Sequence, residues 1–148
     1  MKNLLFISLF FLFLASGCSI QDRIENREDR LVGSWELDRA FFHEDGNLFR
    51  DNVTSDFRGD RITFLPDFTL VYEAGNGELF DGFWEISALR DQEDGDSDVE
   101  FLIDADFFDF QGVVAFSWIG QIERLGNNNF NVRVQERTGE LVLKWDKF

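Results

Sequence analysis

The chain has 148 residues, a net charge of −15, one Cys and one His. That length provides for one domain and falls short of two full ones, and the negative surface excludes nucleic acid and disfavours anionic lipid headgroups as electrostatic partners. One thiol and one imidazole cannot build a disulfide framework, a thiolate zinc cluster or a multi-histidine metal site within one chain.

Met1-Lys2-Asn3 opens the chain with one positive charge, and 4–14 is an apolar run broken only by Ser8. Ala15-Ser16-Gly17 follows and leads to Cys18. A charged start, a short apolar core and a small-residue cleavage site make a secretory signal over 1–17. The run is too short to span a membrane comfortably, which takes roughly 20 apolar residues. Leu14-Ala15-Ser16-Gly17-Cys18 resembles the lipobox of bacterial lipoproteins, with one departure: the branched aliphatic stands four before the Cys, and Ala15 takes its usual place. The resemblance implies that Cys18 becomes an acylated N-terminus carrying chains such as palmitate, which hold the protein on a membrane without spanning it. Ser19 in the next position resembles lipoproteins sent to the outer membrane of Gram-negative envelopes, on either leaflet. Residues 18–31 then read as a tether. Arg23 with Arg27 and Glu25 with Asp29 are like-signed at four-residue spacing and oppose a helix. The expectation is a flexible spacer ending in one helical turn.

From 32 to 148 the pattern is period two, rich in aromatics and β-branched residues and punctuated by Gly, Asn and Asp. A first strand over 34–42 puts Trp35, Leu37 and Phe41 on one face. A second over 60–65 pairs Ile62 with Phe64 and ends at Pro66-Asp67. A third over 69–73 aligns Leu70 and Tyr72, and Asn76-Gly77 signals a hairpin. Phe80, Gly82, Trp84 and Ile86 share a face of the fourth. After a polar loop over 90–98, Val99, Phe101 and Ile103 open the fifth, and 114–123 forms the sixth. Phe130, Val132 and Val134 make the seventh, and Leu141, Leu143 and Trp145 the eighth. Eight short hairpin-linked strands favour closure, because an open sheet leaves two unpaired edges. The expected fold is all-β, an eight-stranded antiparallel up-and-down barrel. A two-sheet β-sandwich is the competing arrangement.

Gly33-Ser34-Trp35 at the start of the first strand resembles the Gly-x-Trp signature of lipocalins, where the Trp packs under the closed end of the barrel. Ile62-Thr63-Phe64 followed by Asp67-Phe68-Thr69 is similar to the second hairpin of lipocalin-like bacterial lipoproteins. So are Gly82-Phe83-Trp84-Glu85-Ile86 and Glu140-Leu141-Val142-Leu143. The resemblance spans about 31–147. The lipocalin disulfide and the long helix after the last strand are missing, which points to the short bacterial lipocalin-like domains.

Aromatic content is the most unusual feature, with 19 Phe, 4 Trp and 1 Tyr. Trp35, Phe64, Tyr72, Trp84, Phe101, Phe116, Trp118 and Trp145 fall on the face assigned to the interior. They either line an apolar pocket for a small hydrophobic ligand or fill the barrel outright. Three rings in Phe107-Phe108-Asp109-Phe110 cannot all face inward in a strand. They form either an exposed tip for a partner or for ligand entry, or a bend capping one barrel end. The longest loop, 43–59, carries Phe49 and is placed to fold over a mouth. Five carboxylates in 91–98 suit calcium in composition, but the EF-hand register fails: with Gly95 as the sixth position, Arg90 and Gln92 stand where carboxylates belong. A solvated acidic loop is expected there, with no metal.

No Gly-x-Ser-x-Gly elbow and no phosphate-binding Gly-rich loop is present. Carboxylate pairs at glycosidase spacing are expected by chance among 29 acids. The chain therefore reads as a non-enzyme without a cofactor, monomeric, anchored in the bacterial envelope through Cys18. Its expected task is to bind a small hydrophobic molecule in the lumen. The alternative is a filled barrel acting as an acidic interaction module for a basic protein, for example as an inhibitor of an enzyme such as lysozyme.

Overall fold

The computed structural model of the chain describes residues 19–90 and 99–148. The lipidation expectation at Cys18 and the acidic loop over 91–98 lie outside the described residues. Helix α1 covers Ile20–Leu31. Nine strands come after it: β1 Gly33–Glu44, β2 Asp51–Asn52, β3 Arg61–Phe64, β4 Thr69–Glu73, β5 Leu79–Arg90, β6 Val99–Phe108, β7 Val114–Leu125, β8 Asn129–Glu136 and β9 Gly139–Lys147. A 3₁₀ turn, Thr54–Phe57, separates β2 from β3.

β1 pairs antiparallel with β3, each strand from β3 to β8 pairs antiparallel with the next, and β9 returns to pair with β1 from Trp35↔Lys147 to Glu44↔Gly139. Eight strands thus close into an up-and-down barrel of the lipocalin-like kind. One continuous closed sheet rules out the two-sheet sandwich. The ninth strand, β2, is a two-residue addition paired with Phe41 and Phe42 of β1.

The alternation of burial follows the expected faces, with one correction. Pairing of β1 with β9 slips between Leu37 and Arg39. The extra residue, Asp38, makes a β-bulge, which reverses the parity of the residues beyond it. Ala40 therefore points into the core, and Phe41 lies outside with the Arg50 and Lys144 cations 4.8 Å and 5.4 Å from its ring centre.

Residues 20–31 are not a flexible spacer. Ser19 caps α1 by accepting from the Asp22 amide at 3.2 Å, while the Asp22 carboxylate accepts from the Ser19 amide at 2.9 Å. The Arg23 and Arg27 guanidiniums share the Phe101 ring, at 5.1 Å and 3.4 Å from its centre. This gives two like charges a common electron-rich partner. Leu31 is fully buried, and its carbonyl accepts the Trp35 indole N–H at 2.7 Å. Burying such a leucine contributes roughly 1.5–3 kcal/mol, several times the roughly 0.2–0.5 kcal/mol lost to each like-charged pair. Tertiary packing outweighs the local repulsion.

The Gly-x-Trp segment has a physical reading here. Gly33 adopts φ +130, and a Cβ on it would sit 2.7 Å from the Lys147 ammonium. That ammonium donates to the Val32 carbonyl at 2.8 Å and stands 4.4 Å from the centre of the Trp35 ring. Glycine lets the end of the last strand close over the start of the first. Burial lowers the Lys147 pKa, as expected for an ammonium drawn off solvent.

Leu31→Ala is expected to cost about 2–5 kcal/mol in urea unfolding, since it opens a cavity under the closed end. A surface-like change within about 0.5 kcal/mol would return 20–31 to the status of a tether.

Candidate functional site

The barrel interior divides into a filled lower half and an open upper mouth. At the closed end beside α1, Trp35 packs against Phe130 with ring centres 5.9 Å apart, and Phe64 meets Trp84 edge-on at 5.5 Å. Trp84 also donates its indole N–H to the Thr69 carbonyl at 3.0 Å. Phe101 lies beneath the arginines of α1. Trp35, Phe64, Trp84 and Phe101 are therefore packed core and do not line the mouth. Trp145 is fully buried and lies between the halves, 6.1 Å from Trp118.

At the other end a cavity of about 670 Å³ opens between the start of β3, the end of β4 and the starts of β5, β7 and β9. Tyr72, Phe116 and Trp118 form its wall, joined by Phe80, Phe57 and Leu141. The rings meet as box corners: Tyr72 is edge-on to Trp118 at 86° and to Phe116 at 78°, and Phe80 is edge-on to Phe116 at 71°. Edge-to-face contact is the geometry the ring quadrupoles prefer.

The run 107–110 belongs only partly to a loop, because β6 continues through Phe108. Phe107 is fully buried and stacks on Phe116 at 4.3 Å and 17°. Phe108 faces outward, edge-on to Phe83 at 5.9 Å. Phe110 alone stands in the turn, 92% exposed. The expectation of a single tip or a single buried bend is replaced by three rings with three environments, set by strand alternation.

Loop 43–59 divides in the same way. Leu48 and Phe49 point into solvent, whereas Thr54 binds back to β1, its hydroxyl accepting from the Ala40 amide at 3.0 Å. That anchor places the 3₁₀ turn, with Phe57, at the edge of the mouth. His43 is exposed, with Nε2 2.8 Å from the Asn47 carbonyl.

The charged feature of the mouth is Asp60, 4% exposed and the one buried charged residue among the described residues. Its carboxylate accepts from the Tyr72 hydroxyl and from the Gly75 amide, the latter at 2.7 Å. The backbone of Asp60 is tied on both sides, donating to Phe57 and accepting from Leu37. A Cβ on Gly75 would fall 1.9 Å from the Arg58 carbonyl, so only glycine brings this turn close enough to donate. Burial, and then the hydrogen bond to Asp60 and its charge, push the Tyr72 pKa up. Tyr72 is thus held as a donor. Around the rim stand the Asp56, Glu78 and Glu136 carboxylates and one guanidinium, Arg58.

No described residues form a group of three or more His, Cys, Asp or Glu placed to hold a metal ion. Comparison with protein-family models, curated proteins and solved structures returns no match.

The residues of the mouth that sequence reasoning passed over are Phe57, Asp60 and Gly75, and Phe80 was read as strand face only. Asp60 carried a usable signal: it shares inward parity with Ile62 and Phe64, so a strand starting at 60 points a carboxylate into the barrel.

Because Tyr72 is the only tyrosine, its ionisation can be followed alone by phenolate absorbance. The unfolded chain releases this proton near pH 10, and the folded chain holds it to higher pH. Stability contributed by Tyr72 is therefore full below pH ~10 and falls as pH rises above it. Tyr72→Phe is expected to remove that alkaline loss and to cost about 1–3 kcal/mol at neutral pH, by leaving Asp60 one donor short. A tyrosine titrating at its ordinary value in the folded chain would show that Tyr72 is not so held.

Proposed function

We propose that this chain is a lipid-anchored lipoprotein of the bacterial envelope, acylated at Cys18, whose barrel mouth binds a small hydrophobic molecule. The observation that carries the proposal is the aromatic-walled cavity of about 670 Å³ above a filled closed end. Its volume falls within the roughly 300–1,000 Å³ typical of small-molecule sites. The seat is shallow. Trp84, Phe64 and Trp35 occupy the lower lumen, so the site takes a compact ring system or the head of an amphiphile and leaves a long tail outside. This moves the proposed binding wall from all eight interior rings to Tyr72, Phe116 and Trp118.

The lipobox-like 14–18 segment supports the anchor, and the ring of aromatic side chains around the mouth supports an apolar ligand. Helix α1 begins two residues after Cys18 and docks at the closed end. An anchor there leaves the mouth on the far side of the barrel from the acyl chains.

A second reading has its own observation. On the outer face of β5 and β6, Asp81, Glu85, Asp104 and Asp106 surround the exposed ring of Phe83 and the half-buried ring of Phe108. Glu85 stands directly opposite Asp104, an arrangement that destabilises a sheet without a cation to share. A basic protein partner fits that face, and salt-sensitive complex formation, weakened by Phe83→Ser, would favour this reading over the mouth.

Two measurements test the main proposal. Cys18→Ser is expected to abolish incorporation of labelled palmitate and release the protein from membranes; unchanged labelling would overturn the anchor. Trp118→Ala should weaken binding of a neutral fluorescent hydrophobe, N-phenylnaphthylamine, by tenfold or more, about 1.4 kcal/mol. Trp84→Ala should instead cost about 3–5 kcal/mol of stability and leave affinity in the folded fraction unchanged. Equal loss of affinity in the folded fraction at the two positions would count against the mouth.

A further inference from the structure

Resting on the reading of the mouth as a ligand site, we infer that it selects a hydrophobic cation, an amine or quaternary ammonium on an apolar body. Asp60 is the counter-charge, and Tyr72, Phe116 and Trp118 are the aromatic faces that receive the cation.

Three independent features lead there. The first is the state of Asp60. A carboxylate removed from water is costly unless it is paired as well as hydrogen-bonded. Asp60 accepts from two neutral donors, Tyr72 and Gly75, and forms no ion pair among the described residues. An ionised carboxylate has about four acceptor positions, so two remain on a group that faces the cavity. A ligand cation supplies the missing opposite charge.

The second is the shape of the aromatic wall. Near-perpendicular contacts of Tyr72 with Trp118 and Phe116 make a corner and not a flat slab. Ring faces attract a cation within roughly 6 Å of their centroids, most strongly when water is excluded. A neutral hydrophobe gains only the burial these rings offer, whereas an ammonium group gains that and the attraction of the ring quadrupoles.

The third is the local field. Asp56, Glu78 and Glu136 join Asp60 around the mouth against the single Arg58 cation, on a chain of net charge −15. A cleft lined by one sign of charge concentrates ligands of the other. Arg58 is the one feature an anionic amphiphile would use, and the test separates it.

The test titrates three probes sharing one apolar body into the Cys18→Ser chain, which keeps every described residue: naphthylmethyl trimethylammonium, naphthylmethanol and naphthylacetate. Calorimetry at physiological and raised salt reads the affinities. The expected result is cation over neutral by tenfold or more, with the anion weakest. Asp60→Asn should erase the gap between cation and neutral while neutral binding persists. The charge series on the unsubstituted mouth decides the question even if that variant fails to fold. Equal binding of all three probes overturns the selectivity and leaves the mouth standing as a ligand site. Preference for the anion, lost in Arg58→Ala, overturns it and makes Arg58 the counter-ion. Cation binding unchanged in Trp118→Ala and collapsing with salt is adsorption to the acidic surface, and overturns it too. Failure of all three probes to bind overturns the mouth reading itself.

Discussion

Closure of β9 onto β1 is the constraint on which the rest of the molecule depends. Once the ring of eight strands is shut, the interior volume is fixed and every second residue must share it. An open sheet would let a surplus of rings turn to solvent at its edges. A closed one forces them into layers, and the layers here differ. Trp35, Phe130, Phe64 and Trp84 interlock at the end covered by α1, whereas Tyr72, Phe80, Phe116 and Trp118 surround space at the other.

The seam itself is held at both ends by specific devices. At the closed end, Gly33 admits the Lys147 ammonium onto the Val32 carbonyl and the Trp35 ring. Near the mouth, the Asp38 bulge re-aims β1 so that Ala40 turns inward and its amide is released to Thr54. The same bulge therefore reverses the parity of Phe41 and ties down the loop that shapes the mouth. β-bulges serve this kind of re-aiming elsewhere, often beside binding sites.

Much of this was legible from period-two alternation. The eight barrel strands, their hairpin order and the inward set Ile62, Phe64, Leu70, Tyr72, Gly82, Trp84 and Ile86 all follow from it, because a half-buried strand leaves a strong imprint, whereas the two-residue β2 leaves none. The features that escaped did so for physical reasons. The bulge at Asp38 is a one-residue event with no composition signal, and α1 is stabilised by Phe101 and the barrel end, contacts that local charge spacing cannot register. The division of the rings into filler and wall depends on where a strand begins and ends. Phe64 and Phe80 look alike in sequence; only their height in the barrel separates them. Asp60 was visible as an inward-facing carboxylate, yet its meaning required Gly75, which lies 15 residues away and approaches through backbone alone.

The open mouth is not the result of small residues leaving gaps. Gly82 and Gly120 both face inward, but a Cβ at Gly82 would meet the Asp106 carbonyl at 2.1 Å and the Leu70 side chain at 2.9 Å. At Gly120 it would meet a Val132 methyl at 2.6 Å. Those spaces are already filled by neighbours, as close packing of interiors requires. The mouth has a different character: the inward position just before β3 is a carboxylate, and the turns around it are tied by polar contacts. Tyr72 is held upright by its bond to Asp60, the 74–77 turn is drawn in by the Gly75 amide, and the 54–57 turn is fixed by Thr54 to β1. An apolar side chain at position 60 would remove the acceptor that the Tyr72 hydroxyl and the Gly75 amide share. One inward acid thus ties Tyr72 and the 74–77 turn together at the walled cavity, and it adds a buried carboxylate to those of Asp56, Glu78 and Glu136 around it.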